Sequence, residues 1–248
     1  MSSSANKLAH LAPFFTRWVG VRSQHSRPPS PHRATVWIWS FIGAFAGITA
    51  LFMLFGRSHY FQARHVPPII GSFAASAVLC FGAIQAPFSQ PRALVGGHLL
   101  ASIIGVCINK IFALLPPDRY EDLRWLSAAL SCAVTIVGMD MLNVTHPPAG
   151  ATALLACSED GITAIGWLYI PVILLSSLIM LVIALCTNNI QRRYPVYWLA
   201  PTPAISQPLL PISKNDTATT LSDGHTPAPP LQASGSPDHN EMQLTPRT

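Results

Sequence analysis

Long apolar runs alternate with short polar breaks through the middle of the chain, from Val36 to Cys186. A run of about 18 or more apolar residues reads as a membrane-crossing helix, because about 20 helical residues cover the hydrocarbon thickness. Residues 36–55, 93–115, 125–143 and 162–186 give four such spans. Trp37 and Trp39 open the first, where aromatic rings suit the interface. Gly43 and Gly47 form a G-x-x-x-G spacing inside it, which lets another helix approach closely. Pro171 predicts a kink in the last span. The polar break at residues 116–124 holds the first acids, Asp118, Glu121 and Asp122, and reads as a loop.

Two shorter apolar segments lie between the spans. Residues 69–86 follow Pro67-Pro68 and are rich in small side chains, with Gly71 and Ser72 near the start. The other follows Thr145-His146-Pro147-Pro148 and ends at Cys157, before Glu159 and Asp160. At a rise of about 1.5 Å per residue it covers about half the hydrocarbon. The two segments echo each other: a His before a Pro pair, then Gly, then Ala, Ser or Thr, then Leu and Cys. The pattern of span, Pro-Gly element and span therefore occurs twice, an internal repeat of the kind transporters carry. The expected fold is all-α, a polytopic transmembrane helix bundle of four full spans plus two Pro-Gly half-helix or re-entrant elements. Lys and Arg positions favour an even number of crossings. Four result if both elements enter and leave on one side, and six if both cross as broken helices.

Composition fits this reading. Half the chain is hydrophobic and only 10% is charged, against about 25% in a typical soluble domain. The net charge of +5 is uneven, since no Asp or Glu precedes Asp118. Residues 1–35 form a basic arm, expected to be irregular, and 36–198 form the membrane domain. Residues 199–248 form a Pro/Ser/Thr-rich tail without hydrophobic periodicity, expected to be disordered. The arm reads as a topology signal, and its Ser/Arg-rich, acid-free composition also fits a mitochondrial transit peptide. It has no aromatic array for stacking bases, so nucleic acid is not an expected partner. The five cysteines all lie in apolar stretches without a C-x-x-C pair. Disulfides, a metal site and a bound cofactor are not expected.

Candidate chemistry centres on the His146-Pro147-Pro148 turn. Prolines at a helix start cost little, because the first helical N–H groups have no intrahelical partner. The amides of Ala149, Gly150 and Ala151 would then face a ligand, with Thr145 and Thr152 adding hydroxyls. A helix N-terminus inside a membrane favours an anion, and His146 beside it could pass a proton. Asp140 is the one acid inside an apolar segment, and such groups are usually functional. With His146 and His98 it forms the expected proton relay, and Pro67, Pro68, Gly71 and Ser72 form the second Pro-Gly element. The bland alternatives are that the prolines only break a helix, that Asp140 is interfacial, and that His98 is a packed histidine. Hydrolase, nucleotide-binding and dinucleotide motifs are lacking, which favours a channel or secondary carrier over an enzyme.

These residues resemble the HPP family of integral membrane proteins. The resemblance runs from about Trp37 to Trp198. It rests on the segment from Pro68 through Gly71-Ser72 to Leu79, on Gln90-Pro91-Arg92 with Gly96-Gly97-His98, and on Thr145-His146-Pro147-Pro148-Ala149-Gly150-Ala151-Thr152. It implies a membrane domain with four transmembrane helices and a suspected transport role, and plant members are implicated in nitrite transport. The expected partners are the lipid bilayer and a small anionic solute, with a homo-oligomer left open. Two rivals stand beside a carrier: a membrane-embedded enzyme using His146 and Asp140 as an acid–base pair, and a non-transporting scaffold or sensor.

Overall fold

A computed structural model of the chain describes residues 32–199. The predicted basic arm and tail, with the transit-peptide reading, lie almost wholly outside the described residues. The domain is built on α1 Arg33–Arg57, α2 Ser72–Ala77, α3 Pro91–Phe112, α4 Pro117–Met141, α5 Pro147–Ser158 and α6 Tyr169–Asn188, with short helices His59–Gln62 and Asp160–Ile165 in the connections. A wider π-helical turn, Val78–Gly82, extends α2. Four helices are long and apolar enough to cross a membrane. Their outward faces are apolar, with Phe41 and Phe45 of α1, Val137 of α4 and Val182 of α6 all more than half exposed. An exposed apolar belt of this extent is what a lipid-facing surface requires.

Two predicted boundaries are corrected. The charged stretch at 116–124 is not a loop but the opening of α4. Pro117 sits in its first turn with Asp118, where a missing N–H costs nothing and a carboxylate complements the helix dipole. At about 1.5 Å per residue a 25-residue helix outreaches the hydrocarbon, so its charged end can stand at the interface. The last span does not kink at Pro171. The chain breaks earlier, at Gly166 with φ 53°, and α6 restarts at Tyr169 with Pro171 in its first turn.

Pairings along the helices give the chain's path. Gly43 meets Phe81 while Gly56 meets Pro68, so α2 runs back along α1 towards its start. Asn188 at the end of α6 bonds the Cys80 carbonyl, and Tyr194 just beyond it bonds the Ser89 carbonyl before α3. The end of α2, the start of α3 and the end of α6 thus share one face of the domain. Arg124 near the start of α4 holds the carbonyls of Cys157 and Ser158 at the end of α5, and Gly150 lies on Cys132, so α5 is antiparallel to α4. The two Pro-Gly elements therefore run between opposite faces as half-helices, and neither turns back on itself. The described chain runs six times between the two faces, four times as long helices and twice as half-helices.

Three passes per half invert the second copy relative to the first. Pro68 and Pro148, Ser72 and Thr152, and Pro91 and Pro171 are each 80 residues apart. Ser72 and Thr152 are equivalent positions on α2 and α5, and their hydroxyl oxygens lie 2.8 Å apart. Equivalent residues touching each other mark the pseudo-two-fold axis of an inverted repeat. The predicted role of Gly43 and Gly47 holds: they admit Phe81, Thr187 and Met180 against α1.

Arg192 ties the first and last helices together. Its Nη2 donates to Asn188 Oδ1 at 2.9 Å, the Phe81 carbonyl at 3.0 Å and Ser40 Oγ at 3.2 Å. Burial pulls its guanidinium below the usual arginine range. Hydrogen bonds to a charged donor contribute about 1.5–3 kcal/mol each. Arg192→Met, which keeps the chain length and loses the donors, is expected to lower stability by about 2 kcal/mol in detergent unfolding.

Candidate functional site

The three quoted motifs meet at the pseudo-two-fold axis. His98 from α3, His146 at the start of α5, Ser76 from α2 and Thr152 from α5 all have zero solvent exposure, and Ser72 is 2% exposed. Ser72 and Ser76 stand four apart on α2, which puts both on one helix face. Close packing brings the backbones together. A Cβ on Gly97 would lie 2.8 Å from His146 Cβ and 2.9 Å from the Val144 carbonyl oxygen. One on Gly105 would lie 2.7 Å from Ala156 Cβ.

The hydroxyl of Ser76 sits between the two imidazoles, 2.8 Å from His98 Nε2 and 2.9 Å from His146 Nε2. His146 Nδ1 is 2.7 Å from the Phe88 carbonyl oxygen. His98 Nδ1 is 2.8 Å from Thr152 Oγ1. Phe73 stacks on His98 at 4.5 Å, and the two imidazole rings lie edge to face at 4.8 Å. Tyr169 of α6 donates to the Thr152 carbonyl at 2.9 Å.

The Phe88 carbonyl decides the order of donors and acceptors, because it can only accept. His146 therefore carries its proton on Nδ1. In the neutral ring Nε2 is then an acceptor, and Ser76 donates to it. Ser76 in turn accepts from His98 Nε2–H, which leaves His98 Nδ1 to accept from Thr152. Thr152 Oγ1 and Ser72 Oγ lie 2.8 Å apart, a hydroxyl pair that can bond in either direction. Every ring nitrogen of two neutral imidazoles is satisfied by one chain of bonds running from Thr152 to Phe88. No Asp, Glu, Lys or Arg is fully buried among the described residues.

A cavity of about 230 Å³ lies beside this network, lined by Phe88, Gln90, Arg92, Asn143, Thr145 and Tyr197 among others. Arg92 donates to the carbonyls of Leu142 and Leu199 at 2.6 and 2.9 Å. The ion pairs of the described residues are both made by Arg124, so Arg92 faces the cavity without a carboxylate. Asn143 takes φ 54° after the end of α4, a left-handed cap that asparagine tolerates. That turn leads the chain inward to Thr145 and His146.

Several expected site residues are placed differently. Asp140 is exposed in the last turn of α4 and does not join the histidines. The end of a span is where a carboxylate stays solvated, and the group that bridges the two histidines is Ser76. The predicted row of open amides at α5 is also corrected. Pro147 and Pro148 have no N–H, and the Ala149 amide donates to the His146 carbonyl at 2.8 Å. Ala149 and Gly150 are buried and Ala151 is exposed, so the helix start does not present three amides to one guest. Pro67 and Gly71 lie at the surface-facing start of the second element, and Pro68 packs on Gly56. Ser72 alone of that set reaches the cluster.

Residues 29–195 match the family described as HPP, transmembrane region. The chain belongs to the HPP family. This HPP protein is similar to two transmembrane proteins of Dictyostelium discoideum. One is 34% identical over 76% of this chain and 64% of its own length. The other is 38% identical over 75% of this chain and 57% of its own length. The HPP chain thus spans less than two thirds of either relative. No solved structure matches it. The buried cluster gathers His98, His146 and Thr152 of the HPP motifs with Ser72 and Ser76. Ser76, the Phe88 carbonyl and Tyr169 join the site without having been expected there. The four-residue spacing of Ser72 and Ser76 was the signal available for the first; a backbone carbonyl leaves none.

Proposed function

We propose that this multi-pass membrane protein carries a small anion, with nitrite as the first candidate, together with a proton. The observation that supports the reading is the junction of cavity and cluster. Arg92 offers an anion a positive charge that no carboxylate of the described residues pairs, and Asn143 and Thr145 add polar side chains. Phe88 lines the same cavity and holds His146 through its carbonyl. A cation-lined chamber therefore abuts a buried group that can take a proton. The membrane-enzyme alternative rested on an Asp140–His146 pair, which the fold does not bring together.

Nitrite influx into proteoliposomes tests the proposal. Influx well above protein-free liposomes is expected, and Arg92→Gln is expected to reduce it at least fivefold, with Arg92→Lys retaining part. A proteoliposome indistinguishable from an empty liposome would remove nitrite as substrate. Unchanged influx in Arg92→Gln would remove the cavity from the path.

A further inference from the structure

We propose that Ser76, His98 and His146 form a binding site for one exchangeable proton, in which the Ser76 hydroxyl turns from His146 Nε2 to the Ser72 carbonyl as the proton arrives. This deepens the transport reading by naming the coupling ion and its seat, yet it stands on the cluster alone.

The hydrogen bonds available to Ser76 carry the argument. In the neutral network its O–H points at His146 Nε2. When a proton binds there, an N–H bond forms and that nitrogen becomes a donor. Ser76 must then stop donating to it. A second acceptor is already in place, since the Ser72 carbonyl oxygen lies 3.1 Å from Ser76 Oγ. Rotation about one side-chain bond moves the hydroxyl proton to that carbonyl. The two lone pairs of Ser76 then accept from His146 Nε2–H and His98 Nε2–H. His146 Nδ1–H keeps its bond to Phe88, so the imidazolium is satisfied at both nitrogens. No heavy atom has to move, and no other bond is broken.

The same geometry makes His146 the acceptor rather than His98. His146 is tied to the wall of the cavity through the Phe88 carbonyl, whereas His98 lies one hydroxyl further in, beyond Ser76. Only one proton fits. A second imidazolium 4.8 Å from the first would meet like-charge repulsion inside a low-dielectric core. The groups packed around the pair are Ser72, Phe73 and Ser76 from α2, Thr152 from α5 and Tyr169 from α6, with Met139 of α4 against Gly97. Tyr169 is the other titratable group there, and its hydroxyl is occupied by the Thr152 carbonyl. Arg92 stands on the cavity side. With no carboxylate buried among the described residues, an anion in the cavity would be the imidazolium's natural counter-charge. Binding of each would then favour the other by the same factor.

The test is ¹⁵N-histidine NMR of the full chain in lipid nanodiscs across pH, without nitrite, with His146→Gln and His98→Gln used to assign signals. At high pH His146 is expected as the Nδ1–H tautomer and His98 as the Nε2–H tautomer. On acidification His146 alone is expected to become doubly protonated. Ser76→Ala is expected to move that step down by at least one pH unit, a tenfold loss of proton affinity, and Ser76→Thr to restore it. An Nε2–H tautomer at His146 in the neutral state, or both rings charging together, would overturn the proposal. So would Ser76→Ala titrating like the wild type. If Ser76→Ala fails to fold, the wild-type tautomers decide by themselves. Because no solute is present, a failure of nitrite flux leaves this result standing, and the reverse.

Discussion

Nitrite influx is expected to fall at least tenfold in His146→Ala while the protein still folds. His146 is the one residue that both faces Ser76 and is held by a wall of the cavity. Its removal deletes the proposed proton seat. The structural damage is contained, because the Ser76 hydroxyl can fall back on the Ser72 carbonyl. The Phe88 carbonyl loses its donor, a loss on the order of 1–3 kcal/mol. His146→Gln separates the two roles of the side chain. Its amide can still donate to Phe88, but it cannot take a proton near neutral pH. Loss of influx in both variants, with melting temperatures close to wild type, supports the proton role. Loss in alanine alone would make His146 a positioning residue, and equal influx in all three would remove it from the mechanism.

The second large effect is on assembly. Gly105→Ala and Gly97→Ala are each expected to lower stability by roughly 1–3 kcal/mol, the usual scale of overpacking. For a domain of this size that is a fall of several degrees in melting temperature. At Gly105 the added carbon would lie 2.8 Å from the Ala153 carbonyl oxygen and 2.7 Å from Ala156 Cβ. Both neighbours are rigid, so α3 and α5 must separate. At Gly97 the neighbours are the Val144 carbonyl and His146 Cβ, so the same separation pulls His146 off Ser76. Gly97→Ala should therefore lose more influx than Gly105→Ala at equal stability. Gly71→Ala is the control, because nothing lies within 4 Å of the added carbon. Thermal unfolding in detergent measures the first effect and liposome influx the second. Equal melting temperatures for the Gly105 and Gly71 variants would contradict the packing described.

Much of the architecture was readable along the chain. Span lengths followed from the hydrophobic thickness they must cover. The Pro pairs marked helix starts, because a helix tolerates a missing N–H only there. Gly43 and Gly47 marked a close approach, and Phe81 makes it. The reading failed where a local signal had two physical outcomes. Charges at 118–124 are equally at home in a loop or in an interfacial helix turn, and α4 takes the second. Asp140 near a span end could turn inward or remain solvated, and it remains solvated.

A membrane domain with two proline-headed half-helices is written along the chain, because length, hydropathy and proline chemistry act locally. Helix packing sets the halves inverted and brings Ser76 between His98 and His146. Those residues are 22 and 70 positions from Ser76 along the chain. Helical periodicity states which face a side chain occupies, but a hydrogen bond also needs its partner at the right depth on a neighbouring helix. Three helices packed through glycine and alanine set that depth here.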